Sequence, residues 1–249
     1  ERPRGFIYNT KGDLINELEQ SFPHQETIDQ SKSIKEIFKD MRENKPMDRL
    51  LYGDVGFGKT EVALRAAMIA INSGKVVFFL SPTTVLSDQH FITSKNRLEH
   101  LGVNIELLSR FKSKKEQSKI LNDLSNNKID LVIGTHRLLS DDVPVENLGL
   151  LIVDEEHKFG VKHKNKIQHL KKHTDILTLT ATPIPRTLQQ SLVGIRDTSR
   201  ITTPPSNKLP IKTYIKRFDW GWIKDSIEKE TSRGGQVYFL HNDIKNLNK

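Results

Sequence analysis

The sequence of 249 residues has no cysteine and no long apolar run. Without cysteine, disulfide bonds and cysteine-ligated zinc are excluded, and a reducing, cytoplasmic location is expected. A membrane-spanning helix needs about 18 consecutive apolar residues, whereas the longest runs here, such as Val76–Leu80, are as short as a strand. We therefore expect no membrane partner. No signal peptide opens the chain, which begins at Glu1, so we expect an internal piece of a longer product.

Acidic residues are fewer than basic ones, 31 against 39, and the net charge is +8. An excess of this size suits a polyanionic partner, but a solubilising surface charge explains it equally well. The nine histidines show no spacing typical of metal ligands with acidic partners, so no zinc site is predicted.

Short apolar runs alternate with longer segments of helical periodicity. The predicted strands are 49–52, 75–80, 103–108, 130–133, 150–153 and 176–180, and the predicted helices are 60–72, 86–101, 114–124 and 185–192. Most of the strands are almost continuously apolar, as strands buried on both faces are. This alternation predicts an α/β fold with a parallel sheet and helices on both faces.

The chain also divides along its length. Residues 1–25 are predicted as a lead-in segment, 26–202 as the first domain, 203–216 as a linker and 217–249 as the beginning of a second, incomplete domain. The linker is placed by the prolines of a polar Thr-Thr-Pro-Pro-Ser sequence. Beyond it, 211–216 and 236–240 are predicted strands and 219–231 a predicted helix.

A phosphate-binding loop is predicted between the first strand and the helix that follows it. The sequence matches G-x-x-x-x-G-K-[ST] and consists of Gly53, Asp54, Val55, Gly56, Phe57, Gly58, Lys59 and Thr60. Its glycines let the backbone wrap phosphates at a helix N-terminus. Lys59 is predicted to reach the β- and γ-phosphates of ATP, and the Thr60 hydroxyl to hold Mg²⁺.

An acidic sequence, Asp154-Glu155-Glu156-His157, follows the apolar strand 150–153. A P-loop fold places its second metal-binding group at such a position, so Asp154 is predicted to hold Mg²⁺. Glu155 is the predicted general base for the attacking water. Taken alone, the same residues would fit a solvated acidic turn.

Together these motifs resemble the helicases and translocases of superfamily 2. Residues 82–86, 134–139 and 180–188 resemble motifs Ia, Ib and an extended motif III, in order. The longer sequences 53–61, 109–111 and 153–161 resemble the motor of the bacterial transcription-repair coupling factors. A related family, the helicases that rescue stalled forks, usually carries Ser in place of Phe57 and Gln in place of Glu156.

The resemblance implies a RecA-like P-loop domain followed by the start of a second RecA-like domain. It implies an ATP-driven translocase on double-stranded DNA that displaces stalled RNA polymerase and recruits an excision-repair protein. It further implies that Phe22 stacks on adenine, that Gln30 reads the edge of the base, and that Thr180 and Thr182 couple hydrolysis to DNA grip. Two alternatives stay open: a fork-rescue helicase, and an ATP- and DNA-binding module without turnover.

Candidate DNA contacts lie in loops at the carboxyl ends of the strands. They are Thr83, Arg110, Thr135, His136 and Arg137, whose side chains and backbone amides suit phosphate oxygens. Arg137 has an alternative, which is pairing with Asp141 or Asp142 four and five residues on. Two lysine-rich stretches, around 112–115 and 158–166, are either further DNA contacts or solvated surface.

Overall fold

The computed structural model describes residues 5–181, 196–206 and 211–240, which form two compact units, Glu1–Lys208 and Leu209–Lys249. The predicted helix over 185–192 lies outside the described residues. No helix in the described part of the chain is long and apolar enough to cross a membrane.

Unit 1 alternates strands and helices as the sequence predicted. Its strands are β1 Asp48–Gly53, β2 Val76–Leu80, β3 Ile105–Leu108, β4 Leu131–Gly134, β5 Leu148–Asp154, β6 Asp175–Thr180 and β7 Asp197–Ile201. Its helices are α1 Asp13–Gln20, α2 Ile28–Met41, α3 Lys59–Asn72, α4 Thr84–Leu98, α5 Lys114–Ser125 and α6 Val161–Leu170. The six predicted strands are confirmed.

The strands form one seven-stranded parallel sheet in the order β3-β4-β2-β5-β6-β1-β7. The seventh strand was not predicted, because its sequence Asp-Thr-Ser-Arg-Ile has no apolar run and only Ser199 and Ile201 are buried. It is a strand because it pairs with the outer side of β1, from Arg49 opposite Asp197 to Gly53 opposite Ile201.

Helices cover both faces of the sheet, as predicted. Successive side chains of a strand point to opposite faces, so Val77 and Phe79 pack in one core and Val76 and Phe78 in the other. The first core contains the buried residues of α1, α2 and α3, and the second contains those of α5 and α6. The fold is therefore an α/β domain with one parallel sheet between two layers of helices.

The exit from β7 is attached to the start of α2. One carboxylate oxygen of Asp29 accepts hydrogen bonds from the backbone amides of Thr202 and Thr203, both at 2.8 Å. The bonds from Thr202 and Thr203 lower the pKa of Asp29 to about 2. The chain is thus held to unit 1 at the point where the linker was predicted to begin.

Unit 2 contains one helix among its described residues, α7 Trp220–Ser232, which confirms the helix predicted over 219–231. Its N-cap is Asp219, whose side chain accepts a hydrogen bond from the amide of Trp222. The strands predicted over 211–216 and 236–240 are wrong, since neither segment forms a strand. A β-strand is held by hydrogen bonds to a neighbouring strand, and within residues 211–240 neither segment pairs with a neighbouring strand. Ile215 is therefore 97% exposed.

Candidate functional site

The strand order divides the carboxyl edge of the sheet into two halves. The carboxyl ends of β1, β5 and β6, with the loops that follow them, carry the P-loop, the acidic sequence and Thr180, and these strands are neighbours. The loops after β3, β4 and β2 carry Arg110, Thr135 and Thr83, and these strands are also neighbours. The candidate nucleotide residues and the candidate DNA residues therefore lie side by side and meet where β2 pairs with β5.

The P-loop has the backbone conformation that its glycines permit. Gly56 and Gly58 adopt left-handed φ values of 77° and 81°. A Cβ on Gly58 would collide with the side-chain nitrogen of Gln30, so a larger residue would displace Gln30 as well as strain the loop. Gly58 is the N-cap of α3 and no side chain caps this helix end, which is the arrangement of a helix N-terminus that binds an anion.

Lys59 already lies across the loop. Its ammonium group donates to the carbonyl oxygens of Gly53 at 2.6 Å and Asp54 at 3.0 Å. The positive charge is therefore fixed beside the helix N-terminus, where a phosphate would add a stronger acceptor. Loop, helix end and lysine together fit the polyphosphate of a nucleotide.

A cavity of about 530 Å³ opens in front of the P-loop. This volume is within the range of ordinary ligand sites. The residues that line it come from the P-loop and the start of α3, from α4, from the acidic sequence and its neighbour Lys158, and from the end of β6: Val55, Gly56, Gly58, Lys59, Thr60, Leu86, Gln89, His90, Thr93, Asp154, Glu155, Lys158, Leu179 and Ala181. The cavity thus brings together the predicted catalytic residues Lys59, Asp154 and Glu155.

Glu155 has an unusual backbone conformation for a residue with a side chain, with φ 50° and ψ 56°. A left-handed non-glycine residue costs on the order of 1 kcal/mol, and the surrounding bonds hold it there. Its carboxylate accepts from the amide of Ala181 at 2.8 Å and from the Thr180 hydroxyl at 3.0 Å. The predicted base is therefore joined directly to the predicted coupling residue Thr180, whereas Thr182 lies outside the described residues.

Thr60 and Asp154 line the same cavity, as a shared magnesium ion would require. In residues 5–181, 196–206 and 211–240, no cluster of three or more acidic, histidine or cysteine side chains could hold a metal by itself. Mg²⁺ is commonly held by one or two protein groups together with substrate phosphates and water, and a hydroxyl and a carboxylate are oxygen ligands of the kind it takes. One Asp154 oxygen lies 3.1 Å from the Nε2 atom of His90.

Glu156 faces away from the cavity into a network of charges. Its carboxylate meets a guanidinium nitrogen of Arg196 at 3.0 Å and the Thr178 hydroxyl at 3.3 Å. Burial opposes ionisation, but the charge and hydrogen bond of Arg196, with help from Lys171, hold the pKa of Glu156 below its ordinary value. Arg196 also pairs with Asp48 at the start of β1, at 2.7 Å. Sequence reasoning missed this network, whose members are far apart in the chain.

The two residues assigned to adenine lie on either side of the start of α2. Gln30 is 4% exposed; its amide nitrogen donates to the Phe57 carbonyl at 2.8 Å, and its oxygen accepts from the Thr27 amide at 2.9 Å. Gln30 therefore ties α2 to the P-loop and completes a capping box with Thr27, which the sequence T-x-x-Q could have signalled. Phe22 is half-buried and borders a separate opening of about 790 Å³ beside α2.

The candidate DNA residues differ in exposure. Arg110 and His136 are exposed, and Thr83 caps α4 through its hydroxyl. Thr135 is 2% exposed, so its hydroxyl is not presented at the surface. The His136 ring packs 5.3 Å from that of His163 on α6; burial, and then the neighbouring His136, lower the pKa of His163.

Arg137 forms the local pair that the sequence left open. Its two terminal nitrogens donate to the two carboxylate oxygens of Asp142, both at 2.7 Å, and its Nε atom donates to Gln117 at 3.0 Å. Asp141, the other candidate partner, pairs with Lys166 instead. The guanidinium predicted to bind a DNA phosphate therefore forms a bidentate ion pair with the carboxylate of Asp142.

Known proteins share the family and the fold of this chain. The DEAD/DEAH box helicase family matches residues 27–191. The chain is 52% identical over 249 residues to a transcription-repair-coupling factor of Bacillus subtilis (strain 168), covering 100% of this chain and 21% of that protein. It is 50% identical over 247 residues to that of Haemophilus influenzae, covering 99% of this chain and 22% of the relative.

Among solved structures, RecG bound to a three-way DNA junction superposes with a TM-score of 0.83 at 34% identity, covering 97% of this chain and 33% of that one. The DEAD-box helicase Mss116 bound to single-stranded RNA and UDP-BeF shares the fold, with a TM-score of 0.60 at 16% identity over 80% of this chain and 45% of that one. The chain spans about a fifth of the length of its curated relatives. With the P-loop, the acidic sequence and these matches, the chain belongs to the DEAD/DEAH box helicases, and its whole length is similar to one segment of the transcription-repair-coupling factors.

Proposed function

We propose that this chain is the ATP-binding part of a double-stranded DNA translocase that acts in transcription-coupled repair. The observation that carries the proposal is the hydrogen-bonded contact of Glu155 with Thr180 and Ala181 at the cavity that Lys59 and Asp154 also line. In this arrangement the candidate base touches the segment proposed to signal to DNA. Identity of about half the residues to transcription-repair-coupling factors supports the biological role.

The residues of the cavity have complementary tasks in ATP hydrolysis. Bound Mg²⁺ would neutralise phosphate charge, with the Thr60 hydroxyl and Asp154 as its protein ligands. Lys59 and the first amides of α3 hold the phosphates. Glu155 orients the attacking water and accepts its proton at the carboxylate. The bonds from Thr180 and Ala181 fix the direction of that carboxylate, so a shift of β6 would change the position of the base.

Adenine recognition by Phe22 and Gln30 belongs to the same proposal, as does coupling through Thr182. Duplex DNA would lie over the loops after β2, β3 and β4. The proposed contacts are Thr83, Arg110, His136 and Arg137, and Thr135 through its backbone amide, because its side chain is buried. The partners proposed for the whole protein are RNA polymerase and an excision-repair protein. A fork-rescue helicase is the second candidate, which the 34% identity to RecG favours less than the identity of about 50% to the coupling factors.

The direct test is ATP turnover by the full-length protein with and without duplex DNA. We expect turnover that duplex DNA stimulates by at least about tenfold, and the loss of this stimulation when the ATP site is disabled. Turnover that ignores DNA would overturn the translocase proposal. A folded protein that binds ATP and DNA without turnover would establish the binding-module alternative.

A substitution of Arg137 tests whether its guanidinium binds DNA or only pairs with Asp142. If its guanidinium leaves Asp142 for a DNA phosphate, Arg137→Ala should weaken binding to all duplexes alike. The slope of log K against log salt should flatten by about one unit, because one fewer phosphate is neutralised. If Arg137 serves only the pair with Asp142, the slope should stay unchanged and stability should fall slightly.

Salt titrations of both proteins on two unrelated duplexes distinguish these readings. Arg42→Ala is the matched control, since Arg42 follows the last residue of α2 and its side chain, in its described contacts, donates only to the backbone carbonyl of Phe38. A loss confined to one duplex would contradict both readings and indicate base readout.

A further inference from the structure

A cluster of buried charges lies beside the P-loop. It consists of Glu61 in the first turn of α3, Arg65 one turn later and Arg97 in the last turn of α4, whose side chains are 9%, 2% and 13% exposed. Arg97 donates to both Glu61 oxygens, at 2.9 and 2.8 Å, and Arg65 donates to one of them at 2.8 Å. A buried, bidentate arginine–carboxylate pair holds its side chains in one arrangement, so we infer that the cluster is rigid.

Arg97 also holds the end of α1. It donates to the carbonyl of Leu18 at 2.9 Å and to the carbonyl and hydroxyl of Ser21, both at 3.0 Å. The last carbonyls of a helix have no partner within the helix, and here a guanidinium supplies one. The backbone immediately before Phe22 is therefore attached to α3 and α4 through a single side chain.

The ring of Phe22 is held by the same cluster. The guanidinium carbons of Arg97 and Arg65 lie over the ring at 5.4 and 5.9 Å from its centroid. The ring is half-buried and still borders the opening beside α2. A guanidinium over an aromatic ring is attracted to the ring face, so the two arginines, together with the edge-on ring of His24 at 5.5 Å, hold the orientation of Phe22.

We propose that Arg97 is a positioning residue for recognition of the nucleotide base, acting through Phe22. This inference rests on the proposed ATP site. It adds that the side chain of Arg97 holds Phe22 in place as a surface on which the base stacks. The phosphates are held by a different set of groups, the P-loop amides and Lys59. Loss of Arg97 should therefore weaken ligands that carry a base and spare ligands that consist of phosphate alone.

The experiment compares two ligands by calorimetry in the full-length protein with Mg²⁺: AMPPNP, which carries adenine, and inorganic tripolyphosphate. Stacking of a base on an aromatic side chain contributes enough binding free energy that its disturbance by Arg97→Gln should weaken AMPPNP binding by about tenfold. Tripolyphosphate binding should change by less than about twofold. The control is Lys95→Gln on the same helix, where Lys95 forms an exposed pair with Glu99 and should affect neither ligand.

Phe22→Leu should reproduce the selective loss, and combining it with Arg97→Gln should add little, because both act on one contact. If Arg97→Gln does not fold, Arg97→Lys keeps the charge and removes the bidentate geometry, and it should show the same selectivity.

Equal losses for the two ligands would overturn the proposal and assign Arg97 to the P-loop structure. Unchanged AMPPNP binding in a folded Arg97 variant would overturn it as well. Failure of the unmodified protein to bind either ligand would instead overturn the proposed function itself.

Discussion

Glu155→Gln should abolish ATP hydrolysis while leaving ATP binding intact. The substitution preserves the size of the side chain and one oxygen acceptor for the amide of Ala181, but it removes the group that takes the proton from water. A missing general base lowers turnover by about 10²- to 10⁴-fold. Steady-state turnover in the full-length protein and equilibrium binding of AMPPNP measure the two effects.

The adjacent Glu156→Gln is the matched control. Glu156 bonds to Arg196 and Thr178 and does not line the cavity, so its replacement should lower stability by about 1–3 kcal/mol and leave hydrolysis largely intact. Normal turnover in Glu155→Gln with lost turnover in Glu156→Gln would reverse the assignment of the base.

Lys59→Ala should weaken nucleotide binding by at least about tenfold, or 1.4 kcal/mol. The ammonium group lies on the P-loop beside the first turn of α3, bonded to the carbonyls of Gly53 and Asp54. Its removal takes away a fixed positive charge where the phosphates would bind, and also two bonds that shape the loop. Equilibrium binding of a labelled ATP analogue measures the loss.

Lys158→Ala is the control, because Lys158 lines the same cavity but is exposed at its rim. An exposed charge is screened by water and salt, so this variant should lose less than about threefold. Equal affinity of folded Lys59→Ala and the unmodified protein would mean that the P-loop does not bind the phosphates.

Features that depend on neighbours in sequence were predicted well. The apolar runs identified six strands, and the glycines of the P-loop stand at the left-handed positions that such a loop requires. Strands buried on both faces are apolar throughout, which makes them visible without knowledge of their partners. The strand β7 was missed because its burial comes from pairing with β1 and not from its own composition.

The wrong predictions have the same cause. Residues 211–216 and 236–240 have the composition of strands, but no strand pairs with them within 211–240. For Arg137 the sequence left two partners open, a DNA phosphate or a nearby aspartate; the fold places Asp142 and Gln117 around the guanidinium, and the contact with DNA stays a prediction. Which partner a charged side chain takes depends on groups that the fold brings near it.

The sequence alone determined the α/β class, the P-loop with its helix N-terminus and the acidic residues after β5, because each rests on local backbone geometry and on short-range patterns. The tertiary structure alone decided that Glu155 bonds to Thr180, that Glu156 is committed to Arg196, and that Arg97 joins α1, α3 and α4 around Phe22. These contacts join residues that are 25 to 79 positions apart, from the bond that Thr180 donates to Glu155 to the bond that Arg97 donates to Leu18. Burial makes such distant pairs strong and selective, since an ionised group removed from water must find its partner within the fold.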